Sequence, residues 1–241
     1  MSRWVGLSVL GLLAFLVLLI AFMPARLAFD SFARPAGFEA GLVHGTIWDS
    51  QIVRLSAAQL SAREVDAKLD PIGVLSGQAR FDLNFADPNL RGTGDVVLTF
   101  TETRLEDVDA VMALDAIAAL AAAGLARGES ARLDIDEISY DHQGQCQNAQ
   151  GEVFSAVLVA TGERYGVDLP ALNGTLRCAG ADLALDFTGR NDTIDLSGEA
   201  RMSQAGVSWS VEAQSSDRDI IAALAFLGFE QDGQRYIARS Q

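Results

Sequence analysis

Histidine, cysteine and lysine are all scarce in this 241-residue chain, and each scarcity removes a class of chemistry. There are two histidines, His44 and His142, far apart and without partners at metal-ligand spacing, so no metal site is expected. The two cysteines, Cys146 and Cys178, form no C-x-x-C pair, which argues against thiol redox catalysis. Lys68 is the one lysine, no basic run with interleaved aromatics occurs, and nucleic-acid binding is therefore not expected. Also missing are G-x-S-x-G, a Walker sequence and a dinucleotide fingerprint; Gly92-Thr93-Gly94 alone reads as a turn. Acid pairs such as Asp134 and Asp136 alternate with apolar residues and read as the wet face of a sheet. The expectation is a protein without catalytic residues, cofactor or metal.

What is present begins at the amino terminus. Residues 4–23 carry no charge, and their apolar side chains, among them Trp4, Leu12, Phe15, Leu19 and Phe22, point in every helical direction. Twenty such residues at about 1.5 Å rise span the ~30 Å hydrocarbon core of a bilayer, where only a helix satisfies its own backbone groups. A cleaved signal peptide is the rival, but the apolar run is longer than usual for one and ends at Ala21-Phe22-Met23-Pro24-Ala25 without a clean small-x-small site. The segment is read as an uncleaved transmembrane anchor, residues 1–25 including a cytoplasmic stub. Arg3 lies before it and Arg26 and Arg34 after it, so local charge gives no direction. The lone cysteine pair suits a disulfide in an oxidising compartment, with two unrelated buried thiols as the alternative. A bridge would close a loop of about 33 residues and contribute roughly 3 to 4 kcal/mol. The amino terminus is thus expected in the cytoplasm and the bulk of the chain outside it, on a single-pass anchor. From Asp30 onward there are 16 basic and 32 acidic residues, a net charge near −16 that reads as a solvated surface.

Residues 26–41 read as a juxtamembrane linker, with Pro24 and Pro35 against helix, and Phe29, Phe32 and Phe38 packing or resting at the headgroups. Residues 42–241 form the β-rich domain. It starts with a Gly45-Thr46 turn and a Trp48 expected to be buried, and then settles into a two-residue period: 64–70, 80–85, and 95–101 with Val96, Leu98 and Phe100 on one face. Asp70-Pro71 starts a turn or a single helical turn. The alanine-rich residues 105–124 predict a covering helix, with Val108, Met112, Ile117 and Leu120 on one side and Gly124 as its C-cap. Strands punctuated by glycine turns follow, one of them read over 151–159, before a short helix at 219–228. The fold class is mainly β: a transmembrane helix, then an antiparallel meander forming a curved sheet, a β-sandwich or a half-barrel, with one or two covering helices.

With that order laid out, the chain resembles the type II secretion system protein N family. The resemblance rests on the anchor, on Gly45-Thr46-Ile47-Trp48 after it, and on Asp70-Pro71-Ile72-Gly73-Val74-Leu75-Ser76-Gly77 in place of the family's Pro-x-x-Leu-x-Gly-like turn. Cys146, the run from Gly174 through Cys178 to Leu185, and a terminal Leu227-Gly228 complete it. One departure is Asp49-Ser50 where the family has a small residue and glycine, which suggests an Asx or Ser turn there. The resemblance implies an inner-membrane accessory component of the machine that exports folded proteins, binding other secretion subunits through its β-domain. AsmA-type envelope proteins resemble the same pattern. They make lipid, handled on a curved apolar sheet face, the alternative partner.

Overall fold

A computed structural model of the protein describes residues 11, 12, 15, 18–34, 38–57, 60–114, 128–203, 206–226 and 228–240. The chain divides into two compact units, residues 1–87 and 88–241. Both are built from antiparallel strands running in near-perfect chain order, so the mainly β expectation holds. Each unit is an open sheet.

In the first unit the described residues of the apolar amino-terminal stretch, 11–12, 15 and 18–21, are helical. Leu12, Phe15, Leu19 and Phe22 are exposed there, whereas Trp4 lies outside the described residues. Among the described residues no helix is long and apolar enough to cross a membrane. Pro24, with an extended backbone, ends this stretch and caps the helix α1 (Ala25–Ala28), which runs on into a π-helical turn (Phe29–Ala33). The linker expected over 26–41 is therefore structured on both sides of residues 35–37, which lie outside the described residues. Ala25 and Phe29 are buried, and Asp30 reaches Arg26 and Arg34 one turn away at 3.7 and 3.0 Å. Phe38 already belongs to β1.

Four strands follow: β1 (Phe38–Thr46), β2 (Asp49–Ala57), β3 (Leu60–Leu69) and, after the short helix α2 (Pro71–Leu75), β4 (Ala79–Ala86). Alternation in the sequence sets the faces directly. On β3, Ala62, Val65, Ala67 and Leu69 are buried. Between Ala62 and Val65 the alternation of buried positions breaks, beside Arg54, whose φ is positive at 57° between the Val53–Glu64 and Leu55–Ala62 pairs with no change of register. Asp87, at the end of the unit, is 1% exposed and accepts the backbone N–H of Arg63.

The second unit contains β5 (Leu90–Leu98), β6 (Glu102–Ala113), β7 (Ser130–Asp141), β8 (Cys146–Ser155), α3 (Val157–Tyr165), β9 (Leu172–Ala179), β10 (Asp182–Arg190), β11 (Ile194–Ser203), β12 (Gly206–Ser215), α4 (Arg218–Phe226), β13 (Glu230–Asp232) and β14 (Arg235–Arg239). Only its end departs from chain order, with β14 between β12 and β13. Val108, Ala110, Ile135, Ile138, Cys146, Ala149 and Leu176 form one core cluster. Ile220 and Leu224 of α4 pack with Ile194, Leu196, Ala213 and Tyr236 into another.

Three sequence expectations are corrected here. The helix predicted from residue 105 is strand β6 through Ala113, paired with β5 and β7; residues 115–124 of that predicted helix lie outside the described residues. A bulge explains the helix-like spacing. Asp107 takes φ 50°, and two residues of β6, Asp107 and Val108, stand opposite Gly94 of β5 between the Thr93–Asp109 and Asp95–Glu106 pairs. Leu105 and Val108 thereby reach one core although three apart, and Ala110 and Met112 continue on that face at a spacing of two. The second is Phe100, expected on one face with Val96 and Leu98: β5 ends at Leu98, and Phe100 stands 96% exposed in the turn after it. The strand expected over 151–159 ends at Ser155. The Ser155 hydroxyl there accepts the N–H of Val157 at 3.2 Å and donates to the Ser130 carbonyl at 3.2 Å. Helix α3 begins at once, with Val157 buried against Leu114 and Ala131, and Gly166 closes it at φ 70°.

Candidate interaction surface

The motif residues Gly45, Thr46, Trp48 and Pro71 gather at one end of the first unit. Strands β1 and β2 are joined through Ile47 and Trp48, with Thr46 facing Asp49 and Gly45 facing Ser50. Neither Ile47 nor Trp48 has a positive φ; Gly45 does, at 87°. A Cβ on Gly45 would meet the Asp49 carbonyl oxygen at 2.2 Å, so the hairpin depends on glycine at this point. The Asx or Ser turn suggested for Asp49-Ser50 does not form. Both residues are in β2, and the Ser50 hydroxyl donates across to the Ala67 carbonyl at 3.2 Å.

This hairpin tip grips the incoming chain. The Ile47 N–H donates to the Met23 carbonyl at 3.0 Å, Pro24 bridges to Thr46, and the Trp48 indole donates to the Ile20 carbonyl at 3.3 Å. Trp48 is half-buried and sits at the tip, not in the core expected for it. The Leu69 N–H donates to the Trp48 carbonyl at 3.2 Å, which sets the start of α2 at the same end. Asp70 caps α2, accepting from the N–H groups of Ile72 and Gly73 at 2.9 and 3.0 Å, and Pro71 takes the first helical position. Pro71, Gly45, Thr46 and Trp48 are thus brought together by strand order.

Strand β1 itself is an edge. Among the described residues it pairs with β2 and, at Thr46, with Pro24, and α1 lies near it; most of its residues are exposed, Phe38 and Leu42 among them. The strand at the other end of the order, β13, has three residues, Glu230-Gln231-Asp232, all exposed. A short, charged edge resists pairing with another chain; a long edge with apolar side chains invites it.

In the second unit Cys146 and Cys178 are joined by a disulfide, with Cα atoms 5.6 Å apart, which staples β8 to β9 beside the main core cluster. Burial there pushes the Tyr140 hydroxyl above its ordinary pKa. On the wet side of β9 to β11, Arg177 pairs with Asp186 and reaches Glu199 at 3.5 Å, and Arg201 pairs with Glu199. Arg177 holds the Asp186 carboxyl below its usual range, and Arg201 does the same for Glu199. These groups are exposed enough for each pair to contribute little on its own. His44 and His142 are both exposed. Among the described residues no three His, Cys, Asp or Glu side chains are grouped so as to hold a metal. An open polar depression between Arg190 and Tyr236 is occupied by turn chemistry, since the Asn191 carboxamide oxygen accepts from the N–H groups of Thr193 and Ile194, each at 3.0 Å.

Sequence reasoning missed one surface feature. Ile72, Val74 and Leu75 of α2 are exposed. The signal was legible in retrospect, because three aliphatics within a five-residue helix between two strands have no room to turn inward together.

A family model described as type II secretion system (T2SS), protein N, matches residues 36–239. No curated protein and no solved structure matches the chain.

Proposed function

Because this chain belongs to the type II secretion system protein N family, we propose that it is an accessory component of type II secretion, anchored in the inner membrane by residues 4–23 with its β-domain in the periplasm. Its role is binding, without catalysis. The anchor reading draws on the uncharged run of residues 4–23 and on the exposed apolar side chains of its described helical residues. The compartment reading draws on the Cys146–Cys178 bridge.

The observation that carries the binding role is the open edge of β1. A strand from another envelope subunit pairs along the Phe38–Leu42 part of it, away from Thr46 where Pro24 already bridges, and Phe38 and Leu42 give side-chain contacts. The test is in-cell crosslinking from a photoreactive phenylalanine placed at Leu42, with one at the exposed Phe100 as control. The proposal expects adducts with a secretion subunit from position 42 and none from position 100. Equal adducts from both, or none from 42, would remove the edge as the binding surface.

A further inference from the structure

We propose that α2 is a second membrane contact, an apolar tip that rests in the bilayer interface beside the anchor. The inference builds on the reading of residues 4–23 as a membrane anchor.

Three observations converge on it. The first is composition: residues 71–78 carry no charged side chain, in a chain whose net charge is −14. Within this stretch Ile72 is 76% and Leu75 89% exposed, and Val74 is exposed beside them. Aliphatic side chains in water gain by transfer to an apolar phase, and an uncharged tip loses no ion hydration on the way.

The second is place. Met23 and Ile20 are held by backbone and indole hydrogen bonds to Ile47 and Trp48, and the Trp48 carbonyl accepts from Leu69, the last residue of β3. The end of the anchor, the hairpin tip and the start of α2 are therefore linked by consecutive hydrogen bonds at one end of the unit. Wherever Ile20 and Met23 meet the headgroups, α2 is close by. Trp48, half-buried with its indole N–H engaged, is the kind of aromatic that favours this depth. The exposed Phe22 and Leu27 flank the same entry point.

The third is rigidity. Besides the Asp70 cap, the Ser76 hydroxyl donates to the Gly73 carbonyl at 2.7 Å and the Gln78 N–H donates to it at 2.9 Å. The turn is fixed with its aliphatics outward, so none can fold back onto the sheet without breaking these bonds. A lipid surface is the occupant that the adjoining anchor brings within reach of this tip.

The test uses the full-length protein in vesicles of phosphatidylethanolamine and phosphatidylglycerol containing a spin-labelled lipid. An environment-sensitive fluorophore is attached to a single added cysteine at Leu75, at Phe15 in the anchor, or at Glu39; Cys146 and Cys178 are already bridged. Glu39 is exposed and, at about 3.4 Å per residue along β1, lies roughly 24 Å from Thr46. The proposal expects blue-shifted, lipid-quenched emission at 75 and 15 and water-like emission at 39. Quenching at 15 without quenching at 75 would overturn the α2 contact and leave the anchor intact. Quenching at neither would overturn the anchor, and this inference with it. Equal quenching at 75 and 39 would mean that the domain lies flat on the bilayer, which also overturns a contact specific to the tip.

Discussion

The indole N–H of Trp48 donates to the backbone carbonyl of Ile20 across 3.3 Å, joining residues 28 positions apart. The same carbonyl, at the end of a helical stretch, also accepts the Met23 N–H at 3.2 Å. The indole bond clamps the hairpin tip to the chain leaving the apolar segment. Replacing Trp48 by alanine removes this bond and the half-buried indole, and is expected to destabilise the first unit by about 1.5 to 3 kcal/mol. Phenylalanine keeps most of the packing and should lose about 0.5 to 1.5 kcal/mol. Thermal unfolding of the detergent-solubilised protein ranks the two; equal melting of wild type, Trp48→Phe and Trp48→Ala would contradict the clamp.

Gly45 and Gly77 both take positive φ, 87° and 85°, yet they predict different outcomes for the same substitution. At Gly45 a Cβ meets the Asp49 carbonyl oxygen at 2.2 Å, whereas at Gly77 it has nothing within 4 Å. Gly77→Ala should therefore show only the left-handed backbone penalty, about 1 kcal/mol. Gly45→Ala adds a backbone overlap that must spread the hairpin, and about 2 to 4 kcal/mol is expected. Denaturant midpoints of the two variants measure the difference, and equal losses would show that the β1–β2 turn tolerates the shift.

Acid should weaken the second unit through Asp186 and Glu199. Their carboxyls are held below the usual range, Asp186 chiefly by Arg177 and Glu199 chiefly by Arg201. A depressed carboxyl stabilises the fold at pH values above its unfolded pKa, near 4, and this stabilisation fades as pH falls through the folded value. Arg177→Ala should consequently lower the melting temperature at pH 7, by a difference that shrinks as pH falls below about 4. A constant difference between the two proteins from pH 7 to pH 3 would assign Arg177 a packing role instead.

Much of the fold was legible from short-range pattern. Strands β3 and β4 follow from alternating residues such as Val65, Ala67 and Leu69, and Asp70-Pro71 announced α2 through cap chemistry contained within four residues. The errors came where a single residue broke the period. Asp107 at φ 50° inserts a step into β6, so Leu105, Val108 and Met112 are spaced like a helical face although they line a sheet. Helix propensity from the alanines reinforced that misreading, and pairing with β5 and β7 overrode it. Phe100 was misassigned because β5 ends at Leu98, and the turn in which the Thr99 N–H donates to the Glu102 carbonyl at 2.9 Å carries Phe100 off the sheet face. At the candidate surface, the motif residues were visible, but the contact that unites them was not. Ile20 contributes a carbonyl, and any residue there would offer the same group.

The measurement that bears most directly on a membrane-anchored, periplasmic component is topology read together with thiol state. A compartment-sensitive reporter follows Gln241, and a maleimide mass shift reports on Cys146 and Cys178 before and after reduction. The account predicts a periplasmic reporter, thiols that label only after reduction, and a loss of roughly 3 to 4 kcal/mol once the bridge is opened. A cytoplasmic reporter with freely labelled thiols would contradict the anchor's orientation and, with it, the proposed place of this domain in the secretion machinery.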